Sequence, residues 1–348
     1  MTDHTTYMDL AIALAEKGIG KVKSNPLVGA VVVYNNTIIG QGYHECYGGA
    51  HAEVNAIESV VDKSLLPYAT LYVTLEPCAH QGKTPPCASR IVQEKIPHVV
   101  IGQLDPNPKV NGKGIAYLQE HGVNIFTGIQ EETCRWINRR FNTFFEKERP
   151  FIILKWAQSA DGFMDPLRNQ GQKGSIAISG EASRAKVQQW RKEEMAILVG
   201  RNTIATDNPR LTVHDDITAS PLRIVLDPQG QLQPYDQWHI GQCPPGSIVV
   251  HQDNQKIHEL PFGMTALPYH DDAFTAIFHY ARQHAITSLL VEGGANTLQY
   301  LIDNNLWDEA RVFVAPHSLH AGLAAPLINQ KPKTTEVSGG DQLNFYYR

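Results

Sequence analysis

Three side chains with metal affinity and one free carboxylate come early in the sequence: His51 and Glu53 in His51-Ala52-Glu53, then Cys78 and Cys87. An imidazole with two thiolates suits zinc. A catalytic zinc site keeps three protein ligands and leaves the fourth position to water, whereas a structural site takes four. A bound Zn²⁺ lowers the pKa of that water to about 7, so hydroxide is available at neutral pH. Glu53 lies two residues from His51, and positions two apart do not share a helix face. It is therefore expected beside the open position, taking and returning protons, rather than as a further ligand. The order His-x-Glu, Pro-Cys, Cys is that of zinc-dependent base deaminases. One departure is plain: eight residues separate Cys78 from Cys87, against two in that pattern. A lone histidine or cysteine would be ordinary packing; the ordered set carries the metal reading.

The elements that must hold these residues follow from periodicity. Residues 51–59 have the spacing of a helix start. Residues 69–75 alternate as a strand that closes on Pro77-Cys78, which predicts a strand-to-helix corner at Cys78, where the helix dipole favours thiolate. Upstream, residues 7–17 have helical spacing, and 28–34 with 37–39 form a hairpin across Asn35-Asn36. Downstream come a helix near 88–94, a strand 98–102, a helix near 115–120 and a strand 123–126. Such alternation predicts an α/β fold. The charged run 146–150 precedes a fresh apolar strand, 151–156, and marks a boundary between domains 1–147 and 148–348. The second half alternates again, with helices near 181–192 and 273–284 and strands 196–199, 222–226, 247–250, 289–292 and 311–314. Its Pro/Gly-rich section, 228–245, is expected to be irregular surface.

Strand 289–292 runs into Gly293-Gly294-Ala295-Asn296-Thr297, with Leu298, Leu301 and Ile302 at helical spacing beyond. Glycines before a helix let backbone N–H groups approach a phosphate, although paired glycines after a strand also serve simple tight turns. The run is not the G-x-G-x-x-G fingerprint.

With 348 residues and 42% apolar content the chain supports two cores. A formal net charge of -5, without basic and aromatic clusters, argues against a nucleic-acid surface. No apolar run reaches the length of a membrane span and no leader pattern opens the chain, so a cytoplasmic protein with no membrane partner is expected. Five cysteines without a repeating framework fit reduced thiols, with Cys46, Cys134 and Cys243 as ordinary packed or surface groups.

The whole chain resembles the bifunctional deaminase-reductase family of riboflavin biosynthesis. In the first half the resemblance rests on Ser24-Asn25-Pro26-Leu27-Val28-Gly29, Gly42-Tyr43-His44, His51-Ala52-Glu53, Thr74-Leu75-Glu76-Pro77-Cys78, His80-Gln81-Gly82-Lys83-Thr84-Pro85-Pro86-Cys87 and Asp105-Pro106-Asn107-Pro108. The Gly-Lys-Thr-Pro-Pro-Cys insert accounts for the wide cysteine spacing. In the second half it rests on Leu154-Lys155, Ser159-Ala160-Asp161-Gly162, Ile197-Leu198-Val199-Gly200, Thr203, Asp207-Asn208-Pro209, Leu211-Thr212 and Val291-Glu292-Gly293-Gly294.

This resemblance implies a cytidine-deaminase-like three-layer domain followed by a dihydrofolate-reductase-like α/β domain that uses NADPH. The implied chemistry is deamination of 2,5-diamino-6-(5-phosphoribosylamino)pyrimidin-4(3H)-one, then reduction of the ribosyl group to ribityl, on a small phosphoribosyl pyrimidine, in a homo-oligomer. Carried over by position, His51, Cys78 and Cys87 hold zinc and Glu53 moves protons, while Asn25, His44 and Lys83 belong to the deaminase pocket. Ala177, Thr203, Asp207, Gly294, Ala295, Asn296 and Thr297 match cofactor-contacting positions. Lys155, Ser175, Arg191, Leu211 and Glu292 match the reductase substrate site, with Arg191 attracting the substrate phosphate. The chain departs from the family at Ala177, where an aromatic contact is missing, at His214 in place of arginine and at Pro228 in place of serine. Two rivals are a zinc deaminase with a non-reducing accessory domain and a zinc-stabilised binding protein.

Overall fold

The computed structural model describes residues 4–79, 86–169, 171–242, 246–255, 257 and 259–348. The chain forms two compact units, Met1–Lys147 and Glu148–Arg348.

In the first unit the elements run α1 (His4–Glu16), β1 (Gly29–Tyr34), β2 (Thr37–Tyr43), α2 (Ala52–Glu58), β3 (Thr70–Leu75), α3 (Cys87–Gln93), β4 (His98–Gln103), α4 (Lys113–Glu120), β5 (Asn124–Thr127), α5 (Glu131–Ile137) and α6 (Arg139–Glu146). Asn35 and Asn36 both take positive φ, 45° and 59°, the backbone of a two-residue hairpin turn. They bring Tyr34 opposite Thr37. The sheet order among the described residues is β2-β1-β3-β4-β5, antiparallel around β1 and parallel from β3 to β5. Period-two alternation splits β1 between two cores. Ala30 and Val32 pack with Ala52, Ala56 and Ile57 of α2 and with Ala88 and Ile91 of α3. Val31 and Val33 pack with Met8, Ala11 and Ala15 of α1 and with Cys134 and Ile137 of α5. Helices thus cover both faces, giving three layers.

The second unit contains β6 (Phe151–Gln158), β7 (Phe163–Pro166), α7 (Glu181–Glu193), β8 (Ala196–Gly200), α8 (Arg201–Asp207), β9 (Leu222–Leu226), α9 (His239–Gln242), β10 (Ser247–Gln252), β11 (Met264–Tyr269), α10 (Ala273–Gln283), β12 (Ser288–Val291), α11 (Ala295–Asp303), β13 (Glu309–Val314), β14 (Gly322–Ala324), β15 (Thr334–Ser338) and β16 (Asp341–Tyr347). Its main sheet has the order β11-β10-β9-β8-β12-β6-β13-β16-β15 among the described residues. It is parallel from β11 to β13 and antiparallel at β16 and β15. The parallel strands are apolar on both faces, as strands covered on two sides must be: Ile152 and Leu154 face one core, Phe151 and Ile153 the other.

The Pro/Gly-rich section 228–245 corrects its expectation of irregular surface. Leu232, Tyr235 and Ile240 are buried in the second of these cores. The Asp227 carboxylate draws the segment inward by accepting from the N–H groups of Gln231 and Leu232, both at 2.9 Å, and from the Tyr235 hydroxyl at 2.9 Å. Cys134 is buried, Cys46 is exposed, and Cys243 lies outside the described residues. Among the described residues no helix is long and apolar enough to cross a membrane.

Candidate active sites

In the first unit two glycines set where α2 sits. A Cβ at Gly42 would lie 2.4 Å from Ala56 N, and one at Gly40 2.4 Å from Ala56 O. With neither present, α2 lies directly on β2. Its N-terminus then carries His51, the N-cap, and Glu53 in the first turn to the C-terminal end of β3, where Pro77 and Cys78 leave the sheet. Helix α3 begins at Cys87 and not at Cys78, which corrects the expected strand-to-helix corner. Cys78 still receives a helix-end donor, because the Cys87 N–H points at its sulfur at 3.4 Å.

The potential ligand atoms of His51, Cys78 and Cys87 lie within 4.8 Å of one another. His51 Nδ1 is 3.2 Å from Cys87 Sγ and 3.6 Å from Cys78 Sγ. Tetrahedral zinc, with Zn–N near 2.0–2.1 Å and Zn–S near 2.3 Å, separates nitrogen from sulfur by about 3.6 Å, so the donor set fits such an ion. Hydrogen bonds from the Cys87 thiol and from His51 draw Cys78 down to about 4 against the opposing effect of burial. Cys87, the donor of the pair, is pushed up. The two shifts favour the thiolate at Cys78, the form that binds a metal.

Glu53 is 4% exposed. Burial, helped by the charge on Cys78, raises its carboxyl to about 7, where a group both accepts and returns a proton near neutral pH. His44 is also buried, and burial lowers its pKa. Its Nδ1–H donates to Ala50 O at 2.9 Å, which leaves Nε2 to accept from Asn25 Nδ2 at 2.9 Å. The His44 ring meets that of His51 edge-on at 5.8 Å. The structure therefore gathers Asn25, His44, His51, Glu53, Cys78 and Cys87, while Lys83 lies outside the described residues.

Sequence reasoning missed the function of Glu76. Its buried carboxylate accepts from the N–H groups of Asp105, Gly112, Gly114 and Ile115 at 3.3, 3.0, 3.0 and 3.4 Å. It thereby ties the 105–112 loop and the start of α4 to the turn that holds Cys78. A Cβ at Gly114 would lie 1.9 Å from Pro77 O, so glycine is what allows α4 to close on that turn.

In the second unit a cavity of about 440 Å³ opens where β12, β8 and β9 end. Thr203, Asp207, Gly294, Ala295, Asn296 and Thr297 line it. Gly293 has φ 136°, a left-handed conformation that favours glycine, and its carbonyl accepts from Gly200 N at 3.0 Å. A Cβ at Gly200 would lie 2.9 Å from Thr297 Oγ1. The first N–H groups of α11 have no intrahelical partner, so with Gly294 as N-cap they suit the diphosphate of a dinucleotide.

Ala177 is exposed and lies outside the cavity lining, to which its neighbour Ile176 contributes. Arg168, which the sequence reading did not single out, chelates Asp165 at 2.5 and 2.9 Å and reaches Asp207 Oδ1 at 3.1 Å. Burial pushes Asp207 up, with Arg168 opposing it.

Lys155 from β6, Arg191 from α7 and Glu292 beyond β12 form one polar cluster. The Arg191 guanidinium donates to Glu292 through Nε at 2.8 Å and Nη2 at 2.9 Å, and to Thr212 O at 3.2 Å. Lys155 Nζ stands 3.7 Å from Glu292. Arg191, expected to attract the substrate phosphate, is thus paired with a carboxylate. Ser175 is exposed, and Leu211 is buried in the core beneath.

The chain matches the family model of the cytidine and deoxycytidylate deaminase zinc-binding region over residues 1–103 and that of the RibD C-terminal domain over 150–339. It is 38% identical to the riboflavin biosynthesis protein RibD of Aquifex aeolicus over 353 aligned positions, covering 98% of each chain. It is 33% identical to that of Escherichia coli over 331, covering 90% of this chain and 88% of the other. Among solved structures it is similar to a diaminohydroxyphosphoribosylaminopyrimidine deaminase/5-amino-6-(5-phosphoribosylamino)uracil reductase of Thermotoga maritima, with TM-score 0.87, 35% identity and coverage of 98% and 97%. Against RibD of Acinetobacter baumannii the TM-score is 0.86, with 31% identity and coverage of 99% and 98%.

Proposed function

The chain belongs to the RibD family of riboflavin biosynthesis proteins, and on that premise we propose how its residues divide two reactions. It is a bifunctional enzyme, a zinc-dependent deaminase and an NADPH-dependent reductase. It deaminates 2,5-diamino-6-(5-phosphoribosylamino)pyrimidin-4(3H)-one to 5-amino-6-(5-phosphoribosylamino)uracil and reduces the ribosyl group to ribityl. We assign the first step to residues 1–147 and the second to 148–348. Bound zinc supplies an activated water at neutral pH, and NADPH supplies the hydride.

His51, Cys78 and Cys87 would hold the ion. Glu53 takes a proton from the attacking water and returns it to the departing amine, so that ammonia leaves as a neutral molecule. His44, kept neutral by burial and held between Asn25 and the Ala50 carbonyl, walls the pyrimidine pocket beside His51 and fixes the Asn25 amide there, with Lys83 as a further pocket member. In the second unit, Gly294, Ala295, Asn296 and Thr297 would cradle the cofactor diphosphate beside Thr203 and Asp207. Glu292, clamped by Arg191 and faced by Lys155, orients the substrate. The observation that carries this reading is the convergence of one imidazole and two sulfurs within 4.8 Å, with a buried carboxylate beside them.

A homo-oligomer in the cytoplasm completes the reading. Cys46 and Cys134, the described cysteines outside the proposed zinc site, are free thiols, which supports a reducing compartment, and light scattering measures the assembly. The test of function is the purified chain with the diaminopyrimidine substrate, ammonia and NADPH being followed together. Equimolar ammonia release and NADPH oxidation are expected; ammonia without NADPH oxidation would remove the reductase half.

A further inference from the structure

Three adjacent strands end at the cofactor cavity in the order β12, β8, β9. Gly294 to Thr297 follow β12, Gly200 ends β8 and Arg201 follows it, and Pro228 and Gln229 follow β9; all of them line the cavity. The Lys155–Glu292 pair lies on the β6 and β12 side. A dinucleotide with its nicotinamide turned toward that pair lays its diphosphate on α11 and carries its adenosine out over β8 and β9.

Among the described residues that line the cavity, the cationic side chains are Arg168 and Arg201. Arg168 is matched by the carboxylates of Asp165 and Asp207. Arg201 stands at the adenosine end, and its hydrogen bonds go to the amide oxygens of Gln231 and, at 2.9 Å, Asn202. Neutral oxygens aim a guanidinium without cancelling its charge.

The acid at the end of β9 points the other way. Dinucleotide sites that select NAD commonly place a carboxylate against the ribose 2′-hydroxyl. Asp227 occupies a strand-end position of that kind, but it is fully buried, and its oxygens are taken by Gln231 N, Leu232 N and the Tyr235 hydroxyl. The adenosine ribose thus meets a cation and not an acid.

We propose that Arg201, aimed by Gln231, binds the 2′-phosphate of the adenosine ribose and is the residue by which this chain selects NADPH over NADH. The guanidinium fork matches a phosphate in a bidentate manner, and NADH offers it only a neutral hydroxyl. The inference rests on the assignment of the cavity as the cofactor site.

Calorimetric titration of the full chain separates the two claims without reading turnover. NADPH, NADH, 2′,5′-ADP and 5′-ADP are titrated into the wild type, Arg201→Gln and Arg184→Gln. The last removes the same charge from an exposed position on α7, where Arg184 reaches the Ser179 carbonyl. Arg201→Gln is expected to weaken NADPH and 2′,5′-ADP by about ten- to a hundredfold and to leave NADH and 5′-ADP within about twofold, while Arg184→Gln changes neither class. Unchanged NADPH affinity in Arg201→Gln overturns the inference, as does an equal loss for NADH. A wild type that binds none of the four overturns the cofactor assignment beneath it.

Discussion

Replacing Glu292 with Gln tests the polar cluster of the second unit. Glu292 and Arg191 keep only 8% and 12% of their side-chain surface in water. Burial alone would raise the Glu292 carboxyl, yet the charges of Arg191 and Lys155 outweigh it and hold the group at about 2. Set against an ordinary carboxyl near 4.5, that depression amounts to about 3 kcal/mol of stabilisation at neutral pH. Removing one partner of a buried pair independently costs about 3–5 kcal/mol, because the remaining charge is left without compensation. Both routes give about 3 kcal/mol, a shift of roughly 1–2 M in a urea midpoint. Trp156, Trp190, Trp238 and Trp307 lie in the second unit and Trp136 in the first, so tryptophan fluorescence reports mainly on the unit in question.

The sign of the pH dependence follows. A carboxyl whose folded pKa is depressed stabilises above its unfolded pKa, and that contribution fades as pH falls from about 4.5 to about 2. Glu292→Gln should therefore unfold well before the wild type at pH 7, and the gap should close toward pH 2. Equal midpoints at pH 7, or a gap that is independent of pH, would refute the reasoning.

Chelation with dipicolinate should abolish ammonia release while leaving NADPH titration of the full chain unchanged; loss of NADPH binding would contradict the assignment of the two cofactors to separate units. Gly114→Ala puts a methyl 1.9 Å from Pro77 O and should lower the stability of the first unit by about 1–3 kcal/mol, read as an earlier thermal transition and weaker zinc retention. An unchanged transition would show that α4 can shift freely. Asn25→Ala leaves His44 Nε2 without its amide and should raise the KM of deamination about tenfold with zinc content intact. An unaltered KM would take Asn25 out of the pocket.

The convergence of His51, Cys78 and Cys87 was legible because few residue types bind zinc and their order along the chain is distinctive. The Asn35-Asn36 hairpin and α1 were legible because two- and 3.6-residue periods are written locally. What stayed hidden depends on distant partners. Glu76 finds its four donors 29 to 39 residues further along the chain, and nothing beside it in sequence announces them. Helices α5 and α6 fall in a charged, broken pattern and took no place in the sequence reading. Strand β15 is exposed along most of its length and exists through its pairing with β16. Tyr235 and Ile240 sit in a stretch whose prolines and glycines suggest surface, and Asp227 turns it inward. Ala177 and Ile176 differ by one position, and local sequence does not say which of them faces a cavity formed by three remote strand ends.

The central claim is a three-ligand zinc site with Glu53 as its proton carrier, and Glu53→Gln tests it most directly when metal content and ammonia release are measured on the same sample. The substitution leaves His51, Cys78 and Cys87 untouched, so zinc should remain at the wild-type ratio while deamination falls by about 10²- to 10⁴-fold. Ammonia release at the wild-type rate, or loss of the zinc, would contradict the account.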